Sequence, residues 1–213
     1  MVAMVCVTGC QQHTLKSFEG HISMHTTSAK GEPHDMTVGA KGDKLRFDMT
    51  GRGGGPMHAV YDPAQNQLWV YLDAQKQFMS LDFTSPGATP NTNPQSSTIT
   101  KAGAHKLIAG VDCEQWSVKD ASGHHSDVCI AQGIAYFDPS RIRPGGAQQP
   151  ETVLAREFRE HKSFPLESVE YDADGKELSR MEVVKIEKVK IPDSDFAVPD
   201  GYSKVEMPGA HPR

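Results

Sequence analysis

The feature that most constrains this chain is a period of two. Over Phe18–His25, residues Phe18, Ile22 and Met24 fall on one face of an extended segment, and His21, Ser23 and His25 on the other. Leu45, Phe47 and Met49 repeat the pattern in Lys44–Met49. Successive side chains of a strand point to opposite faces, so such segments are strands with one face buried. Further short strands are expected at Met57–Tyr61, Gln67–Leu72, Gln77–Leu81, His105–Ile108, Pro165–Tyr171 and Glu177–Lys188. Turn residues separate them at Gly42-Asp43, Asp62-Pro63, Asp73-Ala74 and Asp172–Gly175. Short strands at this spacing predict a large antiparallel meander. Two segments read as loops: Thr84–Ser97, rich in Pro, Ser, Thr and Asn, and Asp138–Pro150, rich in Gly and Pro. Glu151–Lys162 reads as an amphipathic helix with Leu154 and Phe158 at i,i+4 on its apolar face. The expected class is therefore α+β, a helix layer on a sheet.

The cysteines divide into two pairs. Val7-Thr8-Gly9-Cys10 has the form of a bacterial lipobox, and the preceding Val2–Cys6 is apolar like the core of an export signal. On that reading residues 1–9 are an export signal, Cys10 carries the lipid, and 10–16 form a tether. No Lys or Arg precedes Lys16, so the signal lacks its usual charged opening. The alternative is an apolar N-terminus that happens to contain a cysteine. Gln11 follows Cys10; as in lipoproteins of two-membrane bacteria, this favours the periplasmic face of the outer membrane, with the membrane as partner through N-terminal acyl chains. Cys113 and Cys129 flank the turn residues Lys119–Gly123 and two strand-like segments. A hairpin turning at Ala121 would set their sulfurs face to face, and a disulfide suits an oxidising compartment. Two independent buried thiols are the alternative.

Composition and motifs exclude several classes. A net charge of −5 and no basic run with interleaved aromatics argue against nucleic acid. Beyond residue 10 no apolar stretch approaches the ~20 residues of a membrane helix. At 213 residues the chain suits one domain, and no internal repeat is evident. His124-His125-x-Asp127-x-Cys129 carries metal-ligand residue types, but adjacent histidines on a strand face opposite ways. His21 and His25 would be about 13–14 Å apart, too far to share an ion. Gly51–Gly55 lacks the Gly-Lys-Ser/Thr ending of a phosphate loop. Asp172–Gly175 lacks the remaining ligands of a calcium loop, and Asp193 and Asp195 read as turn residues. No nucleophile elbow, zinc-protease motif or dinucleotide fingerprint occurs. No metal, cofactor or catalytic residue is expected.

Five stretches carry a family resemblance: the opening Phe18-Glu19-Gly20 strand, Lys41–Phe47, the Tyr61-Asp62-Pro63 turn with Leu68–Tyr71, Ile108-Ala109-Gly110-Val111-Asp112-Cys113-Glu114-Gln115-Trp116, and Ile191–Tyr202. Together they resemble the bacterial family known as domain of unknown function 4412 and, more distantly, lipoprotein carriers of the LolA/LolB type. The resemblance covers roughly residues 17–205, the expected single domain, leaving 206–213 as a tail. It implies a large curved antiparallel sheet, an incomplete β-barrel, with one or two helices over the open side and an apolar cavity for acyl chains. Phe47, Met49, Trp69, Tyr71, Trp116, Leu154 and Phe158 are the candidate lining residues. Cys113 and Trp116 differ in parity and cannot share a face on a regular strand. The expected function is a non-catalytic, lipid-anchored periplasmic protein, a monomer, holding a lipid or lipoprotein acyl chain. The alternative is a structural or assembly lipoprotein that docks an envelope protein.

Overall fold

The computed structural model describes residues 18–206 apart from 30, 51–53, 66, 83–97, 121–122, 135–156 and 159. Twelve strands follow in order: β1 (Glu19–Ser28), β2 (Gly31–Lys41), β3 (Lys44–Thr50), β4 (Pro56–Asp62), β5 (Gln67–Leu72), β6 (Gln77–Asp82), β7 (Thr98–Ile108), β8 (Val111–Lys119), β9 (His125–Gln132), β10 (Ser163–Tyr171), β11 (Glu177–Glu187) and β12 (Ser203–Lys204). They make one open, curved sheet in the order β12-β6-β5-β4-β3-β2-β1-β11-β10-β9-β8-β7. Every neighbouring pair is antiparallel except β12, which joins β6 in parallel. The chain thus runs as two meanders, β1–β6 and β7–β11, fused where β1 pairs with β11.

β2 was not anticipated from the sequence, because Pro33 and Gly39 interrupt it. Pro33 falls where the β1–β2 register shifts between Thr26 and Ser28, so its missing N–H costs no regular ladder bond. Beyond it, Met36, Val38 and Ala40 alternate inward and face Met24, Ile22 and Gly20 of β1. At Gly20 an added Cβ would lie 1.9 Å from the Glu187 carbonyl oxygen. Only glycine lets the two meanders meet that closely.

The inward positions of both meanders merge into one apolar cluster. Ile22, Val38, Leu45 and Leu68 from the first meander, and Cys113, Cys129, Leu166 and Val183 from the second, are almost wholly buried in it. The Asp62-Pro63 turn closes the β4–β5 hairpin. Asp62 accepts from the Ala64 amide at 3.0 Å and from the Gln65 side chain at 3.1 Å, and pairs with Lys44 at 3.0 Å. Burial opposes the Asp62 charge, but Lys44 and these donors prevail and hold its pKa below the ordinary value. The long edge strand β7 is protected by a register break between Lys101 and His105, with Gly103 at φ 65°, and by its lysines.

One expectation needs adjustment. Cys113 and Cys129 do form a disulfide, with Cα atoms 5.4 Å apart. The hairpin is however two residues out of the expected register: Cys129 stands opposite Gln115, so the bridge runs diagonally. The helix expected over 151–162 lies largely outside the described residues; of its residues that are described, Glu157, Phe158 and Glu160 are helical. The described molecule is therefore sheet-dominated, and none of its residues forms a helix over the open side. The loops expected at 84–97 and 138–150, the lipobox and Leu154 also lie outside the described residues.

The bridge closes a loop of about 15 residues, for which restriction of the unfolded chain is worth roughly 3 kcal/mol. A Cys113→Ala/Cys129→Ala variant should lose about 2–4 kcal/mol in denaturant unfolding. Reductant should then have no further effect on it.

Candidate functional site

The concave face carries an apolar cleft of about 320 Å³. Seven consecutive strands of the sheet, from β5 through β4, β3, β2, β1 and β11 to β10, contribute to its wall. Leu68 and Val70 stand at one side, Phe164 and Pro165 at the other, and Val38, Phe47 and Ala59 between them. The remaining five lining residues are all methionines: Met24, Met36, Met49, Met57 and Met181. Among the described residues, no charged or hydrogen-bonding side chain lines the cleft. Such a surface can bury an apolar molecule but offers no acid, base or nucleophile to it.

The alternation of β3 places Phe47 and Met49 in this wall. Trp69 and Tyr71 lie on the opposite face, because Leu68 and Val70, one residue out of step, take the inward positions of β5. Trp116 likewise points away from the Cys113 face. It packs with Val128, Ile130 and Phe158, its ring 6.5 Å from that of Phe158 and capped by the Lys101 ammonium at 4.3 Å. Phe158 therefore covers the outside of β8–β9, away from the cleft. The aromatic residues drew attention as lining candidates through size alone. Met24, Met36, Met57 and Met181 join the Phe47 face through the registers of β1–β4 and β11, which no single segment reveals.

The convex face of β3–β6 is covered by the segment after β11. Ile191 and Phe196 are buried there against Val60 and Tyr71, with Trp69, Phe78 and Tyr202 around them. Lys41 donates to the Ile191 carbonyl at 2.7 Å and pairs with Asp193 at 2.8 Å. The Ile191 amide donates to Glu19 at 2.8 Å, and Arg46 reaches the Asp195 carbonyl at 3.3 Å. Asp73 fastens the far end. It accepts from the Tyr202 hydroxyl at 2.6 Å and from His58 Nδ1 at 2.8 Å, while the His58 ring stacks on Tyr71 at 4.3 Å. Burial pushes the Tyr71 hydroxyl up to about 12. The histidine–carboxylate pair has the geometry of a catalytic dyad. Its third partner is a tyrosine that ties down the chain, so here it works as a clasp.

Burial opposes the Asp73 charge as well, but the Tyr202 and His58 hydrogen bonds outweigh it and hold its pKa below the usual 3.8. A carboxylate depressed on folding adds stability that is full above its unfolded pKa and disappears as the pH falls through its folded value. Asp73→Asn should lower stability at pH 7 and flatten the acid limb below about pH 4 in denaturant unfolding across pH.

Among solved structures, an uncharacterized conserved protein from Thermus thermophilus is similar at 14% identity and TM-score 0.56, over 91% of this chain and 93% of that one. A chain of the Pseudomonas aeruginosa MucA/MucB complex is similar at 11% identity and TM-score 0.50; the match covers 86% of this chain but only 56% of that one. A LolA superfamily protein from Nitrosomonas europaea matches at 12% identity and TM-score 0.36, over 86% and 91%. These likenesses are of fold. No curated protein matches the sequence. The family model for the domain of unknown function DUF4412 matches residues 18–202, most of the chain, and the protein belongs to that family.

Proposed function

We propose that this protein binds an apolar chain, a lipid or the acyl group of a lipoprotein, in the concave cleft, and performs no chemistry on it. The observation that carries the reading is the wholly apolar lining of a half-open cleft of about 320 Å³. That volume lies at the lower end of ordinary ligand sites. Binding would rest on burial of apolar surface, at roughly 25 cal/mol per Å². The methionines suit a ligand of variable shape, since their unbranched side chains repack easily. The polar clasp sits on the other face of the sheet, which leaves the cleft wall free of buried charge.

In the same proposal the protein hangs by lipid on Cys10 from the periplasmic face of the outer membrane. The lipobox and the Cys113–Cys129 disulfide support an exported protein. The second reading is a structural lipoprotein that docks a protein partner. The likeness to a chain solved within a MucA/MucB complex supports it.

Titration with a fluorescent fatty acid should give saturable binding. Val70→Trp, which fills the cleft, and Met181→Gln, which places an amide in its wall, should each weaken binding about 10-fold or more, a loss of ~1.4 kcal/mol. Absence of saturable binding, or unchanged affinity in both folded variants, would sink the acyl-chain reading. Radiolabelled palmitate should enter the full-length protein in a bacterial host and should not enter Cys10→Ala.

A further inference from the structure

The cleft methionines are not scattered. Met24 stands directly opposite Met36, Met36 opposite Met49, and Met49 opposite Met57, in an unbroken row across β1, β2, β3 and β4. The chain has seven methionines beyond residue 10, and this row with Met181 holds five of them on one surface. We propose that the row is a thioether site for a soft monovalent cation, Cu(I) by chemical class.

Directly opposed residues on one sheet face have Cβ atoms about 4.5–5.5 Å apart. A thioether carries its sulfur two bonds beyond Cβ on freely rotating single bonds, so adjacent neighbours in the row reach one ion readily, and the outer two of three, about 10 Å apart at Cβ, reach it by leaning fully toward the middle strand. Metal–sulfur bonds of about 2.3 Å ask for sulfurs roughly 4 Å apart around a trigonal centre. The sulfurs are also reachable: Met36, Met49 and Met57 are only partly buried. Donor chemistry sets the selectivity. Among the described residues no carboxylate, imidazole or side-chain amide lines the cleft, which disfavours hard cations, whereas thioethers favour Cu(I). Neutral sulfurs leave the ion's charge in place. The solvation lost in an apolar cleft rises as the square of that charge, about four times more for a divalent ion, which excludes Cu(II) and Zn(II). Leucine at each position would fill the same space equally well; what it lacks is the sulfur lone pair. Coordination here is dative. No electron is transferred and no bond of the protein breaks.

This inference shares the cleft with the acyl-chain reading but does not depend on it. Ag(I), the air-stable ion of the same charge and softness, is the probe, added as nitrate to chloride-free protein carrying ¹³C-methyl methionine. The expected result is saturation at one ion per chain, with the methyl resonances of Met36, Met49 and Met57 shifting together. Thioethers do not titrate, so the binding should hold its strength from about pH 5 to 8, where a histidine site would weaken on acidification. The Met36→Leu/Met49→Leu/Met57→Leu variant conserves volume, and should keep a cooperative unfolding transition while losing the ion. Met49→Leu alone, at the centre of the row, serves if the triple variant does not fold. Absent or unsaturable shifts, retention of the ion by a folded leucine variant, or a fall in binding on acidification would overturn the proposal. Loss of fatty-acid binding with Ag(I) binding intact would overturn only the acyl-chain reading.

Discussion

The pairing of β1 with β11 is the contact on which the rest of the structure depends. Each meander alone is a half-sheet with one apolar face and nothing to bury it against. The β1–β11 ladder, eight residue pairs from His21–Glu187 to Ser28–Ser179, joins the two faces into one wall. Gly20 permits that junction at the backbone level. The cleft spans it, with Met24 on one strand and Met181 on the other. A pairing so distant in sequence is reached late and slowly in folding, because it closes a loop of well over a hundred residues. The Cys113–Cys129 bridge, set in the same apolar cluster, stiffens the second meander independently of that step.

The two faces of the sheet divide the labour. The convex side of β3–β6 receives the segment after β11, held by buried Ile191 and Phe196 and by the ion pairs and hydrogen bonds of Lys41, Arg46 and Asp73. The convex side of β8–β9 receives Phe158. Among the described residues, Trp69, Tyr71, Trp116 and the polar clasp lie on these covered outer faces, whereas the cleft of the concave face is lined by aliphatic side chains, methionines, Phe47 and Phe164.

Much of this was legible in the sequence, for a physical reason. A strand with one buried face writes its pleat into the residue order, and Leu45-x-Phe47-x-Met49 is such a record. Turn chemistry did the same for the Asp62-Pro63 corner, whose carboxylate accepts the hydrogen bonds that make it turn. The disulfide was legible as a pairing, yet its register was not, since a shift of two residues preserves parity and leaves the pattern unchanged. β2 was obscured by Pro33 and Gly39, which depress strand propensity although the ladder accommodates both. The lining was harder still. Parity states that Leu68 and Val70 oppose Trp69 and Tyr71, but not which set faces the trough. That choice belongs to the residues after Lys188, which supply the cover for the aromatic set. The methionine row depended on the registers of three successive hairpins at once, and no local window contains that information.

The central claim is that the trough holds an apolar ligand. Native mass spectrometry tests it most directly, on protein lacking residues 1–10, made in an oxidising periplasm and never exposed to detergent. The account predicts a population heavier than the disulfide-bonded chain by a mass in the lipid range, with the excess lost after extraction into organic solvent. A chain of bare, oxidised mass alone would contradict it and turn attention to protein partners.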